Sequence, residues 1–322
     1  MTIPAAVRVA ACALVALVLA APAQAREPIA IDARAVPLDA GDGGRARVGA
    51  LAWRGGLELR SADPRFGGLS GLVVAADGTA MIAITDAGNW VGARLDYDRR
   101  GRLAGLSDAW IAPLKDQAGV PLAGKTEGDA EDVTALPDGG YLVAFEQRHR
   151  LWRYADVEAA AAAYPAPDLG ALPANGGIEA LGALADGRVL ALTEAYFIVP
   201  GGLAGWLIGG GQALTVIYPS DGYFEPTALS VLDDGRVLVL ERGYSVALGV
   251  KGRLILLDQA FGPGARIAPQ EIARFEPPVQ VDNFEGLAVR RGGDGALLVY
   301  IASDDNFSPL QRTLLLMFAL VE

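Results

Sequence analysis

The chain of 322 residues carries 27 Lys and Arg against 38 Asp and Glu, a formal charge of -11, with 52% hydrophobic and 20% charged residues. This is the composition of a folded protein, and no run of basic residues is present to neutralise nucleic-acid phosphates, so a nucleic-acid partner is not expected. High glycine content (41 residues) and low aromatic content (7%) favour short strands joined by tight turns over long packed helices.

Residues 1–25 read as a secretory signal: Arg8 supplies a positive start, Val9 to Ala20 an apolar stretch, and Ala23-Gln24-Ala25 a small-x-small cleavage site. The expected mature chain is 26–322, periplasmic or secreted. A lipid-attachment reading of Val9-Ala10-Ala11-Cys12 is weaker, because that box precedes the apolar stretch it should follow. The stretch is also shorter than the roughly 18 to 20 residues a membrane span needs, so no stable membrane insertion is expected. Cleavage removes Cys12, the one cysteine, leaving a core or bound metal rather than disulfides to hold the exported protein.

Five similar segments follow, starting at Ser70, Glu131, Glu179, Glu225 and Glu285. Each has a polar anchor, an apolar run, an Asp-Gly turn, a second apolar run and a closing acid. The turns are Asp77-Gly78, Asp138-Gly139, Asp186-Gly187, Asp234-Gly235 and Asp294-Gly295, each flanked by Val, Leu and Ile as in a β-hairpin. A period near 50 residues with one strong hairpin per unit predicts an all-β protein, a β-propeller of four-stranded antiparallel blades in a single domain. Residues 26–66 and the apolar strand 313–321 are expected to close a sixth blade between the chain ends. Asp156 to Ala163, before Pro165, reads as a helical insertion between blades.

A hairpin sets the start of its first strand beside the end of its second. This pairs Ser70 with Asp86, Glu131 with Glu146, Glu179 with Glu194, Glu225 with Glu241, and Glu285 with Asp304. If the hairpins are innermost, these acids gather at one mouth of the central channel, with Asp129, Asp132, Asp282 and Asp305 close by. So many hard oxygen ligands suit Ca²⁺, whereas one His and no remaining Cys disfavour Zn²⁺. The competing reading is that each acid caps a strand in solvent.

The order of several segments resembles the phytase-like domain family described by its esterase-like activity of phytase. They are Gly67-Gly68-Leu69-Ser70-Gly71-Leu72, Glu127-Gly128-Asp129-Ala130-Glu131-Asp132, Asn175-Gly176-Gly177-Ile178-Glu179, Asp282-Asn283-Phe284-Glu285-Gly286, and Ser303-Asp304-Asp305-Asn306-Phe307 with Gln311. The resemblance implies an exported propeller whose channel acids bind calcium, with calcium binding a phosphate ester and activating water. The implied metal ligands are Asp86, Glu131, Glu146, Glu179, Glu194, Glu225, Glu241, Asp282, Glu285 and Asp304. The implied phosphate-binding cations are Lys125, Arg148, Arg242 and Arg312, few enough to disfavour a six-phosphate substrate. A monomer acting on a small molecule is expected.

A serine esterase is not supported, since Gly-x-Ser-x-Gly is absent and His149, between Arg148 and Arg150, reads as a solvated surface residue. Two alternatives stay open. A gluconolactonase-type enzyme would hold one Ca²⁺ with Glu, Asn and Asp, and Asn175, Asn283 and Asn306 lie beside the acids. A calcium-stabilised propeller could equally be a non-enzymatic binding platform. The five tryptophans are expected to pack between blades, although Asn89-Trp90 follows Asp86 closely enough to line the mouth.

Overall fold

The structure is a computed structural model describing residues 26–258, 261 and 267–321. The expected signal segment, residues 1–25 with Cys12, lies outside the described residues. Alternating Val, Leu and Ile around each Asp-Gly build two strands, and Leu69–Val74 with Ala80–Thr85 is the first such hairpin. Its turn is closed by a left-handed glycine, Gly78 (φ +75°): Gly78 N–H donates to Ala75 O at 2.7 Å, and Asp77 Oδ1 accepts from Thr79 N–H at 2.9 Å. Asp186, Asp234 and Asp294 each accept in the same way from the backbone N–H two residues on.

Each hairpin is the inner half of a four-stranded antiparallel sheet. Blade one continues through Asn89–Tyr97 and Leu103–Pro113, with Glu27–Pro28 added at its edge. Blade two is Ala130–Ala135, Tyr141–Phe145, Arg150–Tyr154 and Ala162–Ala163. Blade three is Ile178–Ala183, Val189–Val199, Gly202–Gly209 and Gln212–Pro219. Blade four is Phe224–Val231, Val237–Ser245, Gly249–Leu257 and Pro269–Phe275. The inner strands pack side by side in sequence order, and that of blade five, Asn283–Arg291, returns to that of blade one.

The ring therefore has five blades, and the expected sixth does not form. Thr313–Leu320 is the third strand of blade five, after Leu297–Asp304, and the N-terminal Leu51–Ser61 is its fourth. Ile31–Ala35 and Arg47–Val48 extend that sheet through pairing with Leu51–Ser61. The two chain ends complete a blade that already has two strands, so nothing is left over for another. The core is five apolar seams, one between each pair of neighbouring blades.

Two local expectations are corrected. Residues 156–163 are not helical: the chain turns and then pairs Ala162 with Arg153 and Ala163 with Trp152, as the outer strand of blade two. Among the described residues the one α-helix is Lys125–Gly128. Trp90 does not line the mouth. It is fully buried between blades one and two, with its ring centroid 5.5 Å from Tyr141 and 5.4 Å from Tyr154, the packing expected of the tryptophans.

Blade one approaches blade two closely at Gly71 (φ +63°), where a Cβ would stand 2.6 Å from Val133 N and 2.8 Å from Asp132 Oδ1. At the turn residue Gly187 (φ +84°) a Cβ would meet nothing. Gly187→Ala is therefore expected to cost about 1–2 kcal/mol, the left-handed backbone alone. Gly71→Ala is expected to cost at least about twice as much, because backbone must also move. Urea unfolding midpoints of the two variants check this ordering.

Candidate metal centre at the channel mouth

All five inner hairpins carry a β-bulge near the end that faces away from the Asp-Gly turns. In blades two, three and five the extra residue is Glu131, Glu179 and Glu285, and in blades one and four it is Gly71 and Thr227. A bulge re-aims the side chain it adds. Here it helps bring acids from separate blades to one pocket of about 360 Å³, lined by Asp86, Lys125, Glu131, Glu146, Glu179, Glu194, Arg242, Glu285 and Asp304. Ser70, Asn175, Gly176, Asn283 and Asn306 complete the wall.

Seven of the ten sequence-derived ligand candidates thus stand together, and three do not line the pocket. Glu241 is buried between blades three and four, accepting from Tyr218 Oη at 2.7 Å and from Arg253 Nε. The seventh residue after the turn glycine is Glu146, Glu194 and Arg242 in blades two, three and four. Glu241 is one position short of that, and a one-residue shift along a strand reverses the face a side chain occupies. Arg242 takes the place in the pocket that its pairing with Glu225 indicates. Glu225 is near Glu194 and Arg242 but outside the lining, and its carboxyl is raised by partial burial and by Glu194. Asp282 accepts from Asn283 N–H and from Arg312 Nε, both at 3.1 Å, anchoring the entry to blade five.

The four cations divide likewise. Lys125 reaches Asp129 at 2.8 Å and Asp86 at 3.2 Å. Arg242 reaches Glu194 at 2.7 Å and Asn283 Oδ1 at 2.6 Å, with Glu285 at 3.9 Å. Arg148 pairs with Glu127, and Arg312 with Asp282 and Gln280, outside the lining. His149 is half-buried rather than solvated, with Nε2 2.7 Å from Pro173 O.

Two cations against seven carboxyl groups leave the pocket with an excess of acid. Burial pushes Glu131 and Glu179 well up, and their acidic neighbours push further: Asp129, Glu285 and Glu146 on Glu131, and Glu131, Glu194 and Glu146 on Glu179. Burial, then Glu285, raises Asp304 to about 8. Glu285 is raised by burial although Arg242 opposes it, and Asp86 is raised by burial although Lys125 opposes it.

The donor set fits a hard divalent cation. Asp129, Glu131 and Glu146 each offer a carboxylate oxygen, and these oxygens lie within 4.8 Å of one another. Asp129 Oδ2 and Asp86 Oδ1 are buried with no hydrogen-bond partner, the state in which a lone pair most needs a cation. Asp129 was outside the ten-residue set; the sequence signal for it is its place two residues before Glu131. Glu146 is oriented by Gly176 N–H and by Gly177 N–H at 2.8 Å.

The architecture defines the class: a five-bladed propeller with an oxygen-rich, metal-competent pocket at its channel mouth. The chain belongs to the phytase-like family, described as "esterase-like activity of phytase", whose sequence profile matches residues 64–307. A comparison with curated proteins gives no match. Among solved structures the chain is similar in fold to an α-L-arabinofuranosidase from Podospora anserina, at 13% identity over 89% of this chain and 96% of that one, TM-score 0.50. It also matches a gluconolactonase from Xanthomonas campestris, at 11% identity over 93% and 99%, TM-score 0.40.

A carboxyl raised on folding binds its proton more tightly in the native state than in the unfolded one. Its ionisation therefore removes stability as pH rises from the unfolded value toward the folded one. With chelator present, the melting temperature is expected to fall between about pH 4 and pH 8, the interval from the ordinary Asp value of 3.8 to the raised Asp304 value. Added Ca²⁺ is expected to flatten that fall. Thermal melts across pH, with chelator and with Ca²⁺, measure both.

Proposed function

We propose that the protein is an exported, calcium-dependent hydrolase of phosphate esters. The observation that carries this reading is the carboxylate cluster, only partly offset by Lys125 and Arg242, with buried, unpartnered oxygens on Asp129 and Asp86. The residues proposed to hold calcium are Asp129, Glu131 and Glu146, with Asp86, Glu179, Glu194, Glu285 and Asp304 available around the same pocket. The chemistry that calcium supplies when bound is neutralisation of phosphate charge and acidification of water, so no protein nucleophile is needed.

The protein's own groups do the rest. Lys125 and Arg242 stand at different parts of the rim and donate to pocket carboxylates, so each can exchange a carboxylate oxygen for one of phosphate. Water adds to phosphorus in line with the ester oxygen, the P–O bond to the alcohol breaks, and the alcohol leaves with the proton that water gives up. Two rim cations suit a small monoester better than a densely phosphorylated ring.

A lactonase reading is favoured by one observation: Asn175, Asn283 and Asn306 line the pocket with the acids, a mixed amide and carboxylate wall. Cation dependence separates the two readings. Arg242→Ala is expected to lower kcat/KM for a phosphate monoester at least about a hundredfold, since a charge-assisted bond made in the transition state is lost. A comparable loss is not expected for a lactone.

Metal dependence has its own test. Ca²⁺ is expected to raise the melting temperature more than Mg²⁺ at equal concentration, and Glu179→Gln or Glu285→Gln to shrink that shift far more than Asp138→Asn at a turn. Equal effects of the three substitutions count against the ring of ligands.

A further inference from the structure

Among the described residues, the large hydrophobic side chains that stand exposed all belong to one side of the ring. They are Val120, Phe197, Ile198, Val199, Ile217, Tyr244, Val246, Leu248, Phe307 and Leu310. Val120 is in the connection from blade one to blade two. Phe197, Ile198 and Val199 are at the tip between the second and third strands of blade three, and Ile217 is near the end of its fourth. Tyr244, Val246 and Leu248 form the equivalent tip of blade four, and Phe307 and Leu310 that of blade five. These connections lie at the end of the sheets opposite the Asp-Gly turns, which is the end holding the acidic pocket. Scattered exposed apolar residues need no explanation, but their confinement to one face does.

The same segments link rim to pocket. Glu194, Arg242 and Asn306 line the pocket, and the apolar tips begin within three residues of each, about 3 to 10 Å along an extended chain. The tips of blades three and four, residues 195–202 and 243–249, contain no charged residue. Ion pairs stand at both ends of the sheets, Arg188–Asp186, Arg236–Asp234 and Arg291–Asp233 at the turns and Arg148–Glu127 and Lys251–Glu276 on the pocket side, but none lies within these two tips.

We infer that this face rests reversibly on a lipid surface of neutral, zwitterionic head groups. Three features select that occupant. The tips project instead of enclosing a groove, with Val246 94% and Leu310 92% exposed, so they are shaped to enter a soft apolar phase. They come from several blades around one mouth, so more than one tip is available to the same surface. Tyr244, 66% exposed beside Val246, carries the amphipathic ring that favours a membrane boundary.

Charge argues against the alternatives. The formal charge of -11 opposes an anionic membrane, and a second copy docked mouth to mouth would oppose two pockets each with an excess of acid. The contact is peripheral: among the described residues no helix is long and apolar enough to cross a membrane. It does not rest on the hydrolytic reading, since vesicle binding and hydrolysis are measured separately.

The test is flotation of the mature chain with phosphatidylcholine vesicles in chelator, so that no cation bridges the pocket to the head groups. Wild type is expected to float with the vesicles. Val246→Ser with Leu248→Ser is expected to reduce the bound fraction roughly tenfold or more with an unchanged melting temperature, because both side chains already face solvent. Asp186→Asn, at the opposite end, is expected to bind as wild type does. Failure of wild type to float, equal binding by the tip variant, or tip-dependent dimerisation without vesicles would each overturn the inference. Binding seen only with Ca²⁺ and insensitive to the tip substitutions would overturn it too, by assigning the contact to the pocket.

Discussion

Five inner strands must converge on one axis for the ring to close, and that convergence crowds whatever residues stand at their ends. In an isolated hairpin an acid beside the strand end would be solvated and unremarked. Here Glu131, Glu179 and Glu285 come from three separate blades, and Asp86, Glu146, Glu194 and Asp304 from the second strands or the tips beyond them. The site is thus a product of closure, with no single loop or motif containing it. The bulges add the last adjustment, turning an edge residue toward the axis without lengthening the sheet.

Crowding of like charge has a cost that the surrounding residues only partly offset. Lys125 and Arg242 each bridge two neighbouring acids, and Asn283 donates to Glu285 at 2.8 Å and to Asp304 at 3.3 Å while accepting from Arg242. These contacts serve the blade-five side of the pocket. Toward blade two, Asp129 is held by Lys125 and Glu146 by backbone N–H groups, while Asp129 Oδ2 and, at the tip of blade one, Asp86 Oδ1 keep unused lone pairs. Satisfaction of the carboxylate oxygens is therefore uneven, and Asp129, with one oxygen unpartnered, belongs to the closest group of them.

Much of the fold was legible because hairpin patterning is local. The Asp-Gly turns and alternating apolar residues identify every inner hairpin, and the period identifies the blade. Blade number was not legible, because assigning the end segments requires knowing that Leu51–Ser61 pairs with Thr313–Leu320, a partnership between opposite ends of the chain. The pocket was legible where counting from the turn was consistent. It went astray in blade four, where the conspicuous Glu241 precedes the residue in register, Arg242, and parity sends the glutamate into an inter-blade seam. Trp90 misled for a related reason: nearness in sequence to Asp86 says nothing about which face of the strand its indole occupies.

The pairing of Leu51–Ser61 with Thr313–Leu320 also sets the order in which the molecule can be made. Four blades are each continuous in sequence and can form from nearby segments as the chain emerges. The fifth waits for residues near both ends, so one edge of Leu51–Ser61, whose neighbours Ile31–Ala35 and Arg47–Val48 are already at hand, stays open until Thr313–Leu320 has appeared. Loop closure across so long a separation makes this a late and slow event, with apolar strand edges open in the meantime. The acidic mouth, which needs all five inner strands in place, is complete only when the ring is, so partly made chains carry the acids without the pocket.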